Sequence, residues 1–263
     1  MQQLWTEQFF PKDLKDFLGN SEIVEACIKW GEAWENGKEE KPLLFVGPNG
    51  IGKTALALLV ARHFDWQVFE LNASDFRDKE TVEKVVFAAA VNRPLFGGRR
   101  LVFLDEIDCL SGNDRGGSEA ILKVLKESKN PVILTANDVY SNQKLIGIRE
   151  YCHRLEFKKI NFLSMAKRFR EILFSQEIPF EEEAVKELAR KSDGDFRGAL
   201  LDLQSHSYGG NISMQDVSFF DEREKQANVF KVMSKIFNSR NLKEVREAVF
   251  YSQVNHDMLT KWV

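Results

Sequence analysis

Gly47-Pro48-Asn49-Gly50-Ile51-Gly52-Lys53-Thr54, followed along the chain by Leu101-Val102-Phe103-Leu104-Asp105-Glu106, sets the class of this 263-residue protein. The first stretch fits G-x-x-x-x-G-K-[ST] at every fixed position. Leu43-Leu44-Phe45-Val46 precedes it and Ala55-Leu56-Ala57-Leu58-Leu59 follows, which is the strand, loop and helix setting the motif needs. Glycines let backbone N–H groups close around phosphate oxygens, at a helix N-terminus that already favours negative charge. Gly47, Pro48, Asn49, Gly50, Ile51 and Gly52 would form that cradle. Lys53 would reach the β- and γ-phosphates, and the Thr54 hydroxyl would ligate Mg²⁺. The second stretch reads as an apolar strand ending in two carboxylates, Asp105 for the metal and Glu106 placed to polarise water. A glycine-rich turn between strand and helix can be plain punctuation, and two carboxylates at a strand end can simply be solvated. Together, in this order, they point to a nucleotide-hydrolysing P-loop protein.

With 43% hydrophobic and 29% charged residues, the chain can bury a substantial core, and its length suits two compact units. No apolar run approaches the ~20 residues of a membrane span. The N-terminus, Met1-Gln2-Gln3-Leu4-Trp5-Thr6-Glu7, lacks the basic-then-apolar order of a signal peptide. Cys27, Cys109 and Cys152 are scattered with no C-x-x-C pair, so neither a zinc module nor a disulfide framework is indicated, and a reducing cytosolic setting is expected. Lys plus Arg total 37 against 40 Asp plus Glu, a net charge of −3. Nucleic-acid binding would therefore need a local basic surface or one shared between subunits.

Five apolar runs read as strands, at 43–46, 68–71, 101–104, 132–135 and 155–157, with helical patterns between them. Val82, Val85, Val86, Ala89 and Ala90 recur at helical spacing, and Ile121, Val124 and Leu125 follow the same logic. Short apolar strands alternating with helices imply an α/β fold with a parallel sheet covered on both faces. After Lys158-Lys159 the strands stop. Three helical stripes follow: Met165, Phe169, Ile172 and Leu173; Ala184, Val185 and Leu188; then Phe196, Ala199, Leu200 and Leu203. Residues 205–213 read as a loop. The pattern from about Asp221 is helical again, with Phe230, Met233, Phe237, Leu242, Val245 and Val249, and is too short for a core of its own.

This order of motifs resembles the AAA+ family and, within it, the clamp loaders, most specifically the large subunits of archaeal replication factor C. The residues that carry the resemblance are Leu71-Asn72-Ala73-Ser74-Asp75, Asp105-Glu106-Ile107-Asp108, Asp114-Arg115-Gly116-Gly117, Thr135-Ala136-Asn137-Asp138 and Gly194-Asp195-Phe196-Arg197. The resemblance runs from about Trp5 to about Asp202 and continues weakly beyond. It implies an ATP-binding core with a five-stranded parallel sheet over 1–159, a helical lid over 160–218 and the start of a helical collar over 219–263. It implies ATP and Mg²⁺ as ligands, and an archaeal cytosolic, nucleoid-associated setting. Asn137 corresponds to the residue that positions the attacking water and senses the γ-phosphate. Arg197 corresponds to the lid arginine that contacts the γ-phosphate; on spacing alone it could equally be a surface arginine near carboxylates.

The resemblance also implies partners: smaller replication factor C subunits in a pentamer, the sliding clamp PCNA, and primer–template DNA held through its phosphates. The clamp would meet the segment before the second motif, where Leu95 and Phe96 sit beside Gly97 and Gly98. The pair reads either as an exposed apolar knob or as core residues. Arg77, Lys79, Arg115 and Lys123 are the candidate phosphate contacts, although scattered charges usually form a solvated face. Two departures from the pattern stand out. Glu150-Tyr151-Cys152 replaces the Ser-Arg-Cys of the small subunits, so Tyr151 stands where an arginine finger would be, and the large subunits share that absence. Phe9-Phe10-Pro11 replaces aromatic-Arg-Pro, so Phe10 removes a polar contact expected near the adenine. Other readings are a different AAA+ remodeller, such as a helicase loader or an unfoldase, and an assembly scaffold that binds ATP without hydrolysing it. The Asn-Ala-Ser-Asp segment argues against the former, and intact Lys53, Thr54, Asp105 and Glu106 argue against the latter.

Overall fold

The computed structural model describes residues 3–72, 86–92, 97–109, 117–140, 142–215 and 217. Its strands are β1 (Leu43–Val46), β2 (Gln67–Asn72), β3 (Arg100–Asp105), β4 (Val132–Ala136) and β5 (His153–Glu156). They form a five-stranded sheet in the order β2-β3-β4-β1-β5, every pair parallel. In chain order the helices are α1 (Trp5–Gln8), α2 (Ser21–Glu35), α3 (Lys53–His63), α4 (Phe87–Val91), α5 (Gly117–Glu127), α6 (Ile146–Tyr151), α7 (Phe162–Ser175), α8 (Glu182–Lys191) and α9 (Phe196–Ser207).

The three inner strands are mainly apolar because both their faces are covered. β1 and β4 are buried throughout, and β3 at all but its two end residues. Successive side chains point to opposite layers. Leu43, Phe45, Leu101, Phe103 and Ile133 pack with Trp30 and Trp34 of α2 and with Leu56 and Val60 of α3. Leu44, Val46, Val102, Leu104 and Leu134 pack on the other face with Ala90 of α4, Ile121 and Val124 of α5, and Ile148 of α6. Of the helical run expected before β3, Val86, Ala89 and Ala90 are buried as anticipated, and Val82 and Val85 lie outside the described residues.

The edge strands depart from the reading of the sequence. β5 begins two residues before the expected 155–157, pairing Leu43 with His153 and Val46 with Glu156. It has one neighbouring strand and keeps polar, exposed residues such as His153 and Arg154, so hydrophobicity marks only its end. Phe157 falls outside it, yet its N–H donates to the Val46 carbonyl at 2.7 Å and its ring centroid lies 5.1 Å from that of Phe45. α2, with its two core tryptophans, is an addition to the elements expected from sequence. α9 runs to Ser207, into the segment expected to be loop.

Helices α7, α8 and α9 build a separate core around Met165, Phe169, Leu173, Val185, Leu188 and Leu203. Side-chain caps start two of them: Asn161 accepts the Leu163 N–H at 2.8 Å, and Asp195 accepts the Gly198 N–H at 2.8 Å. Trp5 of α1 belongs to this core, not to the sheet's. Its N–H donates to the buried Gln204 of α9 at 2.9 Å, while the Gln204 amide donates to the Gln3 carbonyl at 3.1 Å. The expected collar segment lies outside the described residues. Among those described, no helix is long and apolar enough to cross a membrane.

Candidate functional site

Ligand sites of parallel sheets form at the carboxyl ends of the strands, and here the motif residues converge at that edge. Leaving β1, the chain sends the Gly47 N–H to the Ala136 carbonyl at 3.2 Å, so the loop departs between β1 and β4. Ile51 is fully buried and pins the loop to the core. Gly50 and Gly52 adopt φ values of 72° and 95°, which disfavour any side chain. Both are also crowded: an added Cβ would lie 1.7 Å from Asp195 Oδ1 at Gly50 and 2.9 Å from the Phe17 ring at Gly52. α3 then opens with Gly52 as its N-cap and no side chain capping it, so its first-turn N–H groups face the loop.

Lys53 crosses the mouth of the loop. Its ammonium donates to the carbonyls of Gly47 (2.6 Å) and Pro48 (2.8 Å) and to Asn137 Oδ1 (2.9 Å). Burial lowers its pKa, while the carboxylates of Asp108, Asp105 and Glu106 oppose that shift and favour the cation. The Thr54 hydroxyl donates to Asp105 Oδ2 at 3.1 Å. A hydroxyl and a carboxylate are the hard oxygen donors that suit Mg²⁺, which keeps several waters and uses phosphate oxygens for its remaining positions. A nucleotide-bound Mg²⁺ needs no protein cage, and among the described residues no group of three His, Cys, Asp or Glu side chains could hold a metal ion. The residues present therefore fit the ion.

Two residues at this edge carry no role in the reading of the sequence. Thr135 of β4 donates its hydroxyl to Asp105 Oδ1 and accepts the Glu106 N–H at 2.9 Å. Asp108 accepts the N–H groups of Asn137 (3.0 Å) and Asp138 (3.4 Å), holding the turn that carries Asn137. A threonine inside the apolar run Val132-Ile133-Leu134-Thr135-Ala136 is the available signal for the first.

The second core reaches the loop through α9. The Gly50 carbonyl accepts the N–H of Phe196 at 3.1 Å and that of Arg197 at 3.3 Å. Arg197 thus sits in the first turn of a helix seated on the loop, with its side chain exposed. Phe10 is exposed beside α1, and it is Phe17, from the same N-terminal segment, that touches the loop at Gly52. Tyr151 ends α6 and is partly buried against the α4–α6 side of the sheet. Lys123 has its ammonium 5.7 Å from the centre of the Phe87 ring. Leu95, Phe96, Arg77, Lys79 and Arg115 lie outside the described residues.

Residues 43–159 match the family described as ATPase family associated with various cellular activities (AAA). They form an AAA-family domain. Over most of its length the chain is also similar to proteins named replication factor C large subunit. It is 40% identical over 230 residues to that of Methanococcus maripaludis, covering 87% of this chain and 48% of the relative. It is 38% identical over 262 residues to that of Methanothrix thermoacetophila, covering 98% and 56%. With the Methanosarcina mazei protein of the same name the figures are 36%, 98% and 42%. The chain thus spans about half the length of these relatives. Among solved structures, RuvB of Thermotoga maritima, described as a Holliday junction branch migration motor, superposes with a TM-score of 0.67 at 18% identity, covering 95% of this chain and 87% of that one. A second structure of RuvB from the same organism gives 0.69 at 17%, covering 96% and 88%. At this identity the likeness is one of fold alone.

Proposed function

We propose that this chain is an ATP-hydrolysing clamp-loader subunit, the counterpart of a replication factor C large subunit, which helps load the sliding clamp PCNA onto primer–template DNA. The observation that carries the nucleotide reading is the convergence of Lys53, Thr54, Asp105, Glu106 and Asn137 at one strand edge, with α9 seated on the same loop. Similarity to proteins of that name supports the clamp-loading reading.

In this reading residues 1–159 are the ATP-binding core, 160–218 the lid and 219–263 part of a collar. The backbone of residues 47–54 surrounds the phosphates. Lys53 exchanges its carbonyl partners for β- and γ-phosphate oxygens, a charge-assisted and stronger contact. Thr54 and Asp105 hold Mg²⁺, which when bound neutralises developing charge on the phosphates. Glu106 orients and polarises the attacking water, and Asn137, joined to Lys53, orients water and γ-phosphate together. Arg197 pairs with the γ-phosphate when the lid closes, so ATP favours one lid position over the other. Tyr151 cannot serve a neighbouring site as a finger; a small subunit supplies the arginine that completes this one. Leu95 and Phe96 are the proposed clamp contact, and Arg77, Lys79, Arg115 and Lys123 the proposed contacts to DNA phosphates.

The test is ATP hydrolysis by the chain alone and then with small subunits, PCNA and primed DNA, alongside the mass of the assembled complex. Stimulation by clamp and DNA in a complex of defined mass is expected. A complex that forms and loads the clamp equally well with Glu106→Gln in this chain would leave it a scaffold. No assembly with small subunits would remove the clamp-loading reading.

A further inference from the structure

The ladder between β3 and β4 ends at Leu104 and Leu134. Beyond that pair a side chain takes over. Thr135 is fully buried, and a hydroxyl has one hydrogen to give and lone pairs to receive. The Asp105 carboxylate can only accept and the Glu106 N–H can only donate, so both bonds have a fixed direction: Thr135 to Asp105 Oδ1, and Glu106 N–H to Thr135 Oγ1. Of the two oxygens of Asp105, Oδ1 accepts from Thr135 and lies 3.4 Å from the Thr54 hydroxyl, whose nearer partner is Oδ2 at 3.1 Å. Glu106 lies at φ 54°, a left-handed conformation that a side chain of its size adopts only when its surroundings hold it there.

From this geometry we infer that Thr135 is a positioning residue for Mg²⁺-nucleotide. Through one hydroxyl it fixes the rotamer of the metal-binding Asp105 and the backbone that aims Glu106. The inference rests on the nucleotide reading of the site. When the Thr54 hydroxyl turns to the metal, Asp105 loses that bond and Thr135 alone keeps its free oxygen aimed. Nothing in this role requires Thr135 to touch nucleotide, and its effect should appear in how much Mg²⁺ strengthens binding, not in binding itself.

The test measures ATP affinity of the full chain by calorimetry, with Mg²⁺ and with EDTA, for wild type, Thr135→Val, Thr135→Ser and Lys53→Ala, with thermal melts for each. Wild type should bind more tightly with Mg²⁺. Thr135→Val should keep the affinity seen in EDTA and lose about tenfold or more of the Mg²⁺ enhancement, the usual scale for partners that orient metal ligands. Thr135→Ser, which keeps the hydroxyl, should restore it. Where the valine variant melts below the assay temperature, Thr135→Ala takes its place and the same outcomes decide. Mg²⁺ enhancement unchanged in the valine variant, or lost equally in the serine variant, would overturn the inference. Absence of ATP binding by wild type, or Lys53→Ala binding as wild type does, would instead overturn the reading of the site.

Discussion

The carbonyl oxygen of Gly50 lies 3.1 Å from the amide nitrogen of Phe196, so the glycine-rich loop carries the first turn of α9. Asp195, the cap of that helix, fills the space on which a side chain at Gly50 would fall. Loop and helix meet at this contact, so a movement of the helical unit against the sheet must carry the loop with it or break these bonds.

Gly50→Ala should be costly for two reasons. Its φ of 72° penalises alanine by about 1–2 kcal/mol, and the new methyl would stand 1.7 Å from Asp195 Oδ1, forcing loop and helix apart. Urea unfolding should show a loss of at least ~2 kcal/mol, and ATP affinity should fall with it.

Lys53→Ala and Glu106→Gln should separate binding from hydrolysis. The first removes the cation that, in the proposed reading, balances the phosphates, and should abolish tight ATP binding. The second should bind ATP normally and lose hydrolysis, because an amide cannot polarise water. Calorimetry and phosphate release distinguish them, and equal affinity losses would mean the roles are misassigned.

Asn130 is buried, and its amide donates to the carbonyls of Ala89, Ala90 and Asn92 at 2.9–3.2 Å, tying down the end of α4. Asn130→Ala deprives Ala89 and Asn92 of that donor, while Ala90 keeps the Lys129 N–H. A loss of about 2–4 kcal/mol in chemical denaturation is expected, with ATP affinity little changed.

The thiols of Cys27 and Cys152 are buried, and burial pushes both up to about 12 from the ordinary 9.0; Lys41 opposes the shift at Cys152. As pH rises through that window the unfolded chain releases these protons and the folded chain keeps them. Stability therefore falls with rising pH, by about 1.4 kcal/mol per unit per thiol. Cys27 and Cys152 should resist a thiol reagent near neutral pH and react on denaturation. Cys109 is exposed and should label in the native protein, though slowly, since partial desolvation and the carboxylates of Asp108, Glu106 and Asp105 raise its pKa.

Tyr151→Ala should leave hydrolysis at neighbouring subunits unchanged in an assembled complex, because no finger arginine is lost. It should cost about 1–2 kcal/mol of stability, since the ring packs partly buried against the α4–α6 layer. A large fall in the neighbours' activity would contradict the assignment.

The inner strands are legible in the sequence because burial on both faces leaves an uninterrupted apolar signal, and the loop because few residues can follow its backbone. β5 is only half legible, since an edge strand pairs through its backbone whatever its side chains, and His153 and Arg154 carry no strand signal. α2 escapes the reading although Ile23, Cys27, Trp30 and Trp34 recur at helical spacing and are buried. Lys53, Thr54, Asp105 and Glu106 declare themselves by motif. Thr135 and Asp108 hold other groups, which their bonds reveal; a threonine inside an apolar run is the one hint the sequence offers.

The bond from the Trp5 N–H to Gln204 joins residues 199 apart in sequence. Trp5 leaves the ribosome before its partner, which follows only after the whole sheet has been made. Until then an indole belonging to the helical core has no resting place there. Closing so long a span costs more entropy than local helix formation does, so α1 should dock late, after the sheet and α7–α9 have formed. A chaperone or a nascent-chain contact around α1 would thus act on the assembly of the helical unit, leaving the sheet to fold without it.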